Sequence, residues 1–465
     1  MANAPSQPLS TEISTAFAHA EACAERANLT ITSEQGHVRA LGVTGFCGSL
    51  LLYRFALGNG LQIRIVPDSS APVLSYHTWF RVGSRHERPG KTGLAHLFEH
   101  LMFNETRRIP YGEFDRRIET AGGETNASTW TDFTQYHAEL PSSELPLIID
   151  LEAQRMSELL LREPQVVSEK EVVANERRYR VDDDVEGAAA ELLYSVAFTE
   201  HSYRFPTIGL MEDIEGFTTA DCEAFYRTYY APNNAVLVIV GDVELQRTLQ
   251  LIQQHYGALG AADIPAAQVV VEPPQVGERY QELTRETPTP KLLLGYRAPE
   301  ITHPDHIVLS LICDLLCSGR GSRLYRKLLR EQEFVSDLSA SVTPFVEPGL
   351  MECWFSLRAG VETEQVLAVV DEAIRELQTE PPSPAELERA ANRYELGLLQ
   401  SLETASGKAD QIGFHDAIVG DAGAMFARLQ AYRNTTPEDV SRVATQYLQP
   451  ASRTRIVIAP AGDSE

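Results

Sequence analysis

Apolar and polar residues alternate along YRFALGNGLQIRIVPD (53–68), broken at Gly58-Asn59-Gly60, which is the pattern of a β-hairpin. VLSYHTWFRVGS (73–84) continues as a further strand. The next apolar run, GLAHLFEHLMFNE (93–105), has helical spacing instead, with Leu94, Leu97, Phe98, Leu101 and Met102 on one stripe. GEFDRRIETAGG (112–123) predicts a helix stopped by Gly122-Gly123, and NASTWTDFTQYHAEL (126–140) a pair of strands. Residues 144–162 and 165–180 have helical period, and AVLVIVGDV (235–243) reads as a buried strand ending in a turn.

Composition then shifts. AADIPAAQVVVEPPQVGERYQ (261–281) holds three prolines and few helix signals, and reads as a linker. Beyond it the pattern repeats. KLLLGYRAPE takes the place of SYHTWFRVGS, VLSLICDLL that of LAHLFEHLM, and a strand pair and a long helix (363–378) follow. The second copy has no histidine pair, so metal chemistry belongs to the first. The expected organisation is an N-terminal extension (1–47), a metal-bearing half (48–262), a linker (263–281) and a C-terminal half without metal (282–465). Within the extension, TEISTAFAHAEACAERA predicts a short amphipathic helix behind a loose Pro- and Ser-containing start.

The chain has 465 residues, 43% hydrophobic and 23% charged, which is ample core material for a globular protein. A net charge of −25 argues against nucleic acid and anionic membrane surfaces as partners. No segment reaches the roughly 18 uninterrupted apolar residues of a membrane span. No basic residue precedes Arg26, and no apolar run has the length of a secretory leader. Six cysteines without a CxxC pair fit a reducing compartment, and Cys313 and Cys317, one helical turn apart, read as core. The expectation is a cytoplasmic protein, with the periplasm as the other compartment.

One helix breaks the bland picture. His96 and His100, four residues apart, share a face and can offer two imidazole nitrogens to one tetrahedral metal. Glu99 overlooks that face from a position that suits a water molecule held by the metal. A catalytic site usually takes three protein ligands, so one more must come from another element. SEKEVVANERRYR (168–180) is the best source. Its Glu169 and Glu176 are two helical turns apart, so that one can complete the site while the other orients a histidine.

At this point the sequence resembles a known family. His96-Leu97-Phe98-Glu99-His100 is similar to the inverted zinc motif of the pitrilysin-type inverzincins, which include insulin-degrading enzymes and mitochondrial processing peptidases. The likeness spans about residues 48–460 and includes NGLQIRIVPD, VGSRHE, HLFEHLMFNET, AGGETNAST, EKEVVANERR, IGLMEDIEGFT and YYAPNNAVLVIVGDV in order. It implies an α+β fold of two homologous halves, each a mostly antiparallel sheet with helices packed on one face. It implies a zinc endopeptidase with one Zn²⁺ per chain, held by His96, His100 and Glu176, with Glu99 as general base and Glu169 supporting the site from outside. Asn126 and Ala127 match the edge-strand segment that holds a peptide substrate in extended form.

The family also uses an Arg and a Tyr seven residues apart in the second half. LLREQEFVSDLSA keeps Arg330, a substrate-binding match, but Asp337 stands where the tyrosine belongs. An ionised aspartate cannot donate a hydrogen bond to a developing oxyanion and would repel it. Some bacterial members split the labour between two related chains. The resemblance therefore implies the zinc-bearing subunit of a heterodimer whose homologous partner supplies the Arg/Tyr pair, with a homodimer as the competing assembly. The other functional class to weigh is a non-catalytic scaffold homologue of a processing-peptidase-like assembly.

Overall fold

A computed structural model describes residues 10–28, 33–266 and 270–461. Their contacts divide into two compact units. The first is built from residues 10–174, 207–266 and 399–424, the second from 175–206, 270–398 and 425–461. The division falls inside one unbroken helix, Glu163–Arg177.

The first unit holds a seven-stranded sheet of β1 (Val38–Gly45), β2 (Leu51–Leu57), β3 (Gln62–Pro67), β4 (Val73–Phe80), β5 (Glu124–Thr129), β6 (Thr134–Pro141) and β7 (Ala235–Gly241). Their order is β1-β2-β3-β7-β4-β6-β5, antiparallel except for the β3–β7 pair. The second unit has five strands, β8 (Arg279–Arg285), β9 (Lys291–Arg297), β10 (Val335–Val342), β11 (Leu350–Leu357) and β12 (Arg453–Pro460). They are ordered β10-β11-β9-β12-β8, with β8–β12 the one parallel pair. Written from its other end, the first sheet begins β5-β6-β4-β7-β3, the same order with the parallel pair in the same place. The repeat read from KLLLGYR and SYHTWFR is thus a repeat of topology, with β9 standing where β4 stands.

The division between halves differs from the contiguous one expected from sequence, because two segments are exchanged. β7 is buried at every position, and such a strand needs cover on both faces. One face of the first sheet places Ile63, Ile65, Tyr76, Tyr136, Leu237 and Ile239 in the main core of that unit. The opposite face, carrying Trp79, is crossed by the helix Ala405–Phe414 from the C-terminal part of the chain. Likewise Leu292, Leu294 and Val457 lie in the larger core of the second unit. Leu293, Ile456 and Ile458 pack against Ala189, Leu193 and Ala197 of the helix Val185–Ala197. A helix layer covers one face of each sheet, and one exchanged helix crosses the other.

The residues read as an N-terminal extension are part of the first unit. β1 is hydrogen-bonded to β2, and the helix Ser10–Asn28 buries Ala20, Cys23, Ala24 and Ala27 in the first core. The start before residue 10 lies outside the described residues. At the other boundary, β8 begins at Arg279, so the last residues assigned to the linker are already strand. Cys313, Cys317 and Cys353 are buried in the second core, and burial pushes all three thiols up, Cys353 to about 12. They are packing residues. No helix among the described residues is long and apolar enough to cross a membrane.

The exchanged helix is keyed to the first sheet by shape and charge. Asp416, just past its end, accepts from Arg64 Nε at 2.6 Å and Arg81 Nη2 at 3.2 Å, and Lys408 pairs with Asp68 at 3.1 Å. A Cβ on Gly413 would lie 2.0 Å from Trp79 Nε1, so the helix can approach only because that position has no side chain. Gly413→Ala should therefore lower the unfolding free energy by about 1–3 kcal/mol. Urea denaturation followed by Trp fluorescence measures this, and a change within error would contradict the keyed contact.

Candidate metal centre

The helix that carries both histidines, Leu94–Leu101, starts without an ordinary N-cap, since Gly93 has no side chain to cap with. Gly93 has φ of +95°, in the left-handed region that glycine adopts freely. A Cβ there would meet the Ile208 carbonyl oxygen at 2.5 Å, and one on Gly209 would lie 2.6 Å from Gly93 Cα. The two glycines therefore pin the helix start against the Ile208-Gly209 segment. The amides of Gly93 and Ala95 donate to the two carboxylate oxygens of Glu87, each at 2.7 Å. Asp213 accepts from the amide and hydroxyl of Thr92, at 3.0 and 2.6 Å, and Leu210 N donates to the same hydroxyl. Backbone donors that a helix start leaves open are thus met by carboxyl oxygens from outside the helix.

Beneath the helix, Leu97, Phe98 and Leu101 are buried, with Phe98 against Phe225 and Tyr230. This floor fixes the rotation of the helix and so aims the opposite face. On that face the His96 and His100 rings lie 5.1 Å apart, steeply inclined to each other, with His96 7% exposed.

Glu176 comes from the last turn of Glu163–Arg177. One donor atom from each of His96, His100 and Glu176 lies within 4.8 Å of the others. It is the one group of three or more such side chains found among the described residues. A tetrahedral Zn²⁺ with bonds near 2.0–2.2 Å needs ligand atoms about 3.4 Å apart, inside that bound. Two imidazoles and a carboxylate are also the donor set of a catalytic zinc site that keeps a fourth position open. Of the two candidate carboxylates, Glu176 is the one gathered with the histidines, and Arg180 Nε lies 3.0 Å from its Oε1.

Glu169, two turns earlier, has Oε2 3.8 Å from His100 Nδ1. Glu99 is half-buried near Tyr136 and Tyr230. Burial above all, and more weakly the Glu99 charge, raises both phenols, so they form a neutral floor under the carboxylate. Tyr136 Oη donates to the Phe98 carbonyl at 2.9 Å.

Asn126 and Ala127 lie on β5, the edge strand of the first sheet, which pairs with β6 alone. The Asn126 side chain accepts from the Ala127 amide, and Thr129 at the strand end reaches the Ala95 carbonyl at 3.5 Å, beside His96. Arg330 belongs to the second unit, exposed on the turn Tyr325–Glu331, and Asp337 to β10 beside a bulge. Glu87, Asp213, Gly209 and Asn104 have structural parts here that sequence reasoning did not assign, although each lies in a quoted segment. The usable signal was negative: a helix opening on Gly-Leu-Ala has no capping side chain of its own, so a distant carboxylate must serve.

The family model described as insulinase (peptidase family M16) matches residues 65–209, and that described as peptidase M16 inactive domain matches residues 216–394. The zinc protease PqqE of Helicobacter pylori is 29% identical over 409 residues, covering 87% of this chain and 92% of its own length. The crystal structure of a protease from Helicobacter pylori matches with a TM-score of 0.84 at 28% identity, covering 88% of this chain and 99% of that one. The periplasmic protease PqqL from Escherichia coli shares the fold, with a TM-score of 0.74 at 18% identity. The match covers 88% of this chain but 47% of that one.

The Glu87 cap makes stability depend on pH. Burial, with a smaller contribution from Asp213, outweighs the two amide bonds and pushes its carboxyl up from 4.5 to about 8. The folded protein thus keeps a proton to about pH 8 that the unfolded chain releases near 4.5. The resulting stability is complete below pH 4.5 and lost as pH rises towards 8. Relative to Glu87→Gln, which is neutral throughout, the wild type should lose about 1 kcal/mol or more between pH 5 and 8. Denaturant midpoints measured across that range test it, and parallel curves would contradict it.

Proposed function

The chain belongs to the peptidase M16 (insulinase) family, and we propose that it is a zinc metalloendopeptidase that hydrolyses peptide bonds of oligopeptides or unfolded segments. The observation that carries this reading is the convergence of His96, His100 and Glu176, with Glu99 one position from His100. In this reading the three side chains hold one Zn²⁺. When bound, the ion supplies Lewis acidity, polarising the scissile carbonyl and bringing the pKa of water towards neutrality.

The chain's own groups account for the rest. Glu99 takes the proton of the attacking water and returns it to the leaving amine, a transfer worth about 10²- to 10⁴-fold in rate. Glu169 orients His100 through Nδ1. The open edge of β5 at Asn126 and Ala127 receives the substrate as an added strand, so affinity comes from backbone hydrogen bonds and makes few demands on sequence. Asp337 brings no donor to an oxyanion, and Arg330 has no tyrosine companion. The reading is therefore of an HxxEH-bearing subunit that works with a homologous chain carrying an Arg/Tyr pair, rather than of a homodimer. The match to PqqL, which covers about half of that chain, is consistent with two such chains forming one working unit.

A scaffold role is the second reading, favoured by the inactive-domain description. That description attaches to residues 216–394, whereas His96, His100, Glu99, Glu169 and Glu176 all lie within the 65–209 match. The acidic net charge argues against nucleic acid and anionic membranes as partners, and sparse cysteines favour the cytoplasm, with the periplasm as the other compartment.

Zinc content and hydrolysis of a fluorogenic peptide, measured for wild type and Glu99→Gln with and without the partner chain, test the proposal. The variant should retain zinc and lose about 10²- to 10⁴-fold in kcat. A chelator should abolish wild-type activity and added Zn²⁺ restore it. Zinc-loaded wild type inert in every mixture would favour the scaffold. Wild type alone as fast as any mixture would remove the heterodimer.

A further inference from the structure

We propose that Asn104 is a positioning residue of the metal centre, holding Glu169 so that its second oxygen stays close to His100 Nδ1, within reach of it; the inference rests on the zinc reading above. His96, His100 and Asn104 recur at every fourth position, and Glu169 and Glu176 are two turns apart on the facing helix. The two segments thus meet in two rungs. One is the His96, His100 and Glu176 group. The other is Asn104 Nδ2 donating to Glu169 Oε1 at 3.0 Å.

Glu169 is thereby shared between the rungs, with Oε1 on the amide and Oε2 3.8 Å from His100 Nδ1. A carboxylate on a flexible glutamate stem needs a second anchor to keep one oxygen on a ring nitrogen, and Asn104 is that anchor. It is also a neutral one. A lysine or arginine there would compensate the carboxylate, whereas an amide orients it and leaves its charge to the imidazole. Holding Nδ1 against a carboxylate fixes the tautomer, leaves the other ring nitrogen for the metal and raises its basicity.

The burial of Asn104 points the same way. The residue is 3% exposed, and its Oδ1 has no hydrogen-bond partner. An amide half-satisfied in the interior calls for an explanation other than its own hydrogen bonding. Its fixed part is the turn that ends the histidine helix, where its backbone amide donates to the Leu101 carbonyl at 3.0 Å.

Zinc affinity of the full chain, measured by competition with a chromophoric chelator, tests this for wild type, Asn104→Ala, Glu169→Ala and the double variant. Thermal unfolding of the metal-free proteins runs in parallel. Each single variant should bind zinc about tenfold more weakly. The double variant should match Glu169→Ala, because Asn104 acts only through that carboxylate. Should the alanine variant not fold, Asn104→Leu, similar in volume and lacking the donor, carries the same expectation. Unchanged affinity, or losses that multiply in the double variant, would overturn the inference while leaving the zinc reading intact. Wild type that binds no zinc, or binds it as tightly after His96→Ala, would overturn the zinc reading and the inference with it.

Discussion

Two imidazoles and a carboxylate are gathered within 4.8 Å, His96 buried and His100 and Glu176 half-buried, and the surrounding structure is arranged to keep them there. The histidine helix is only two turns long, too short to hold its own position. It is fixed at its start by Glu87, Asp213 and the Gly93–Gly209 contact, and underneath by Phe98 on Phe225 and Tyr230. None of these groups needs to touch substrate. Their work is to convert a short helix into a rigid mount, which a site sensitive to displacements of about 0.5 Å requires.

The same economy governs the sheets. β7 is buried at every position, and β9 and β12 send alternate residues into two different cores, so a single layer of helices cannot complete either sheet. Each half contributes a helix to the other's sheet, held in one case by the Trp79–Gly413 fit and the Arg64–Asp416 pair. An edge strand remains at β5, beside the end of which His96 stands. An open edge is ordinarily a liability, and in the proposed reading it receives an extended peptide.

Much of this was legible from local pattern. The Gly58-Asn59-Gly60 hairpin, the strand pair at 126–140 and the repeat of β4 as β9 follow from periodicity and turn chemistry, which act over a few residues. The histidine pair was legible because helical spacing fixes its geometry in advance. What escaped depends on chain segments far apart in sequence. Helix Ala405–Phe414 has only a weak amphipathic pattern in sequence, and its destination is explained by the second face of the first sheet with the Trp79 fit and the Arg64 and Asp68 ion pairs that receive it. β1 was hidden because a strand that pairs with one neighbour at the outer edge needs little alternation. Asn104 was invisible as a site residue because the carboxylate it meets lies 65 positions away in sequence, and Glu87 because it sits outside the helix whose start it meets.

The central claim is that the His96, His100 and Glu176 group is a zinc site, and X-ray absorption at the zinc K-edge of the purified chain tests it most directly. The account predicts about one zinc per chain, four nitrogen or oxygen neighbours at about 2.0–2.2 Å, and the multiple-scattering signature of two imidazoles. A sulfur shell near 2.3 Å, which would put the metal on cysteine, or a spectrum without imidazole scattering, would contradict it.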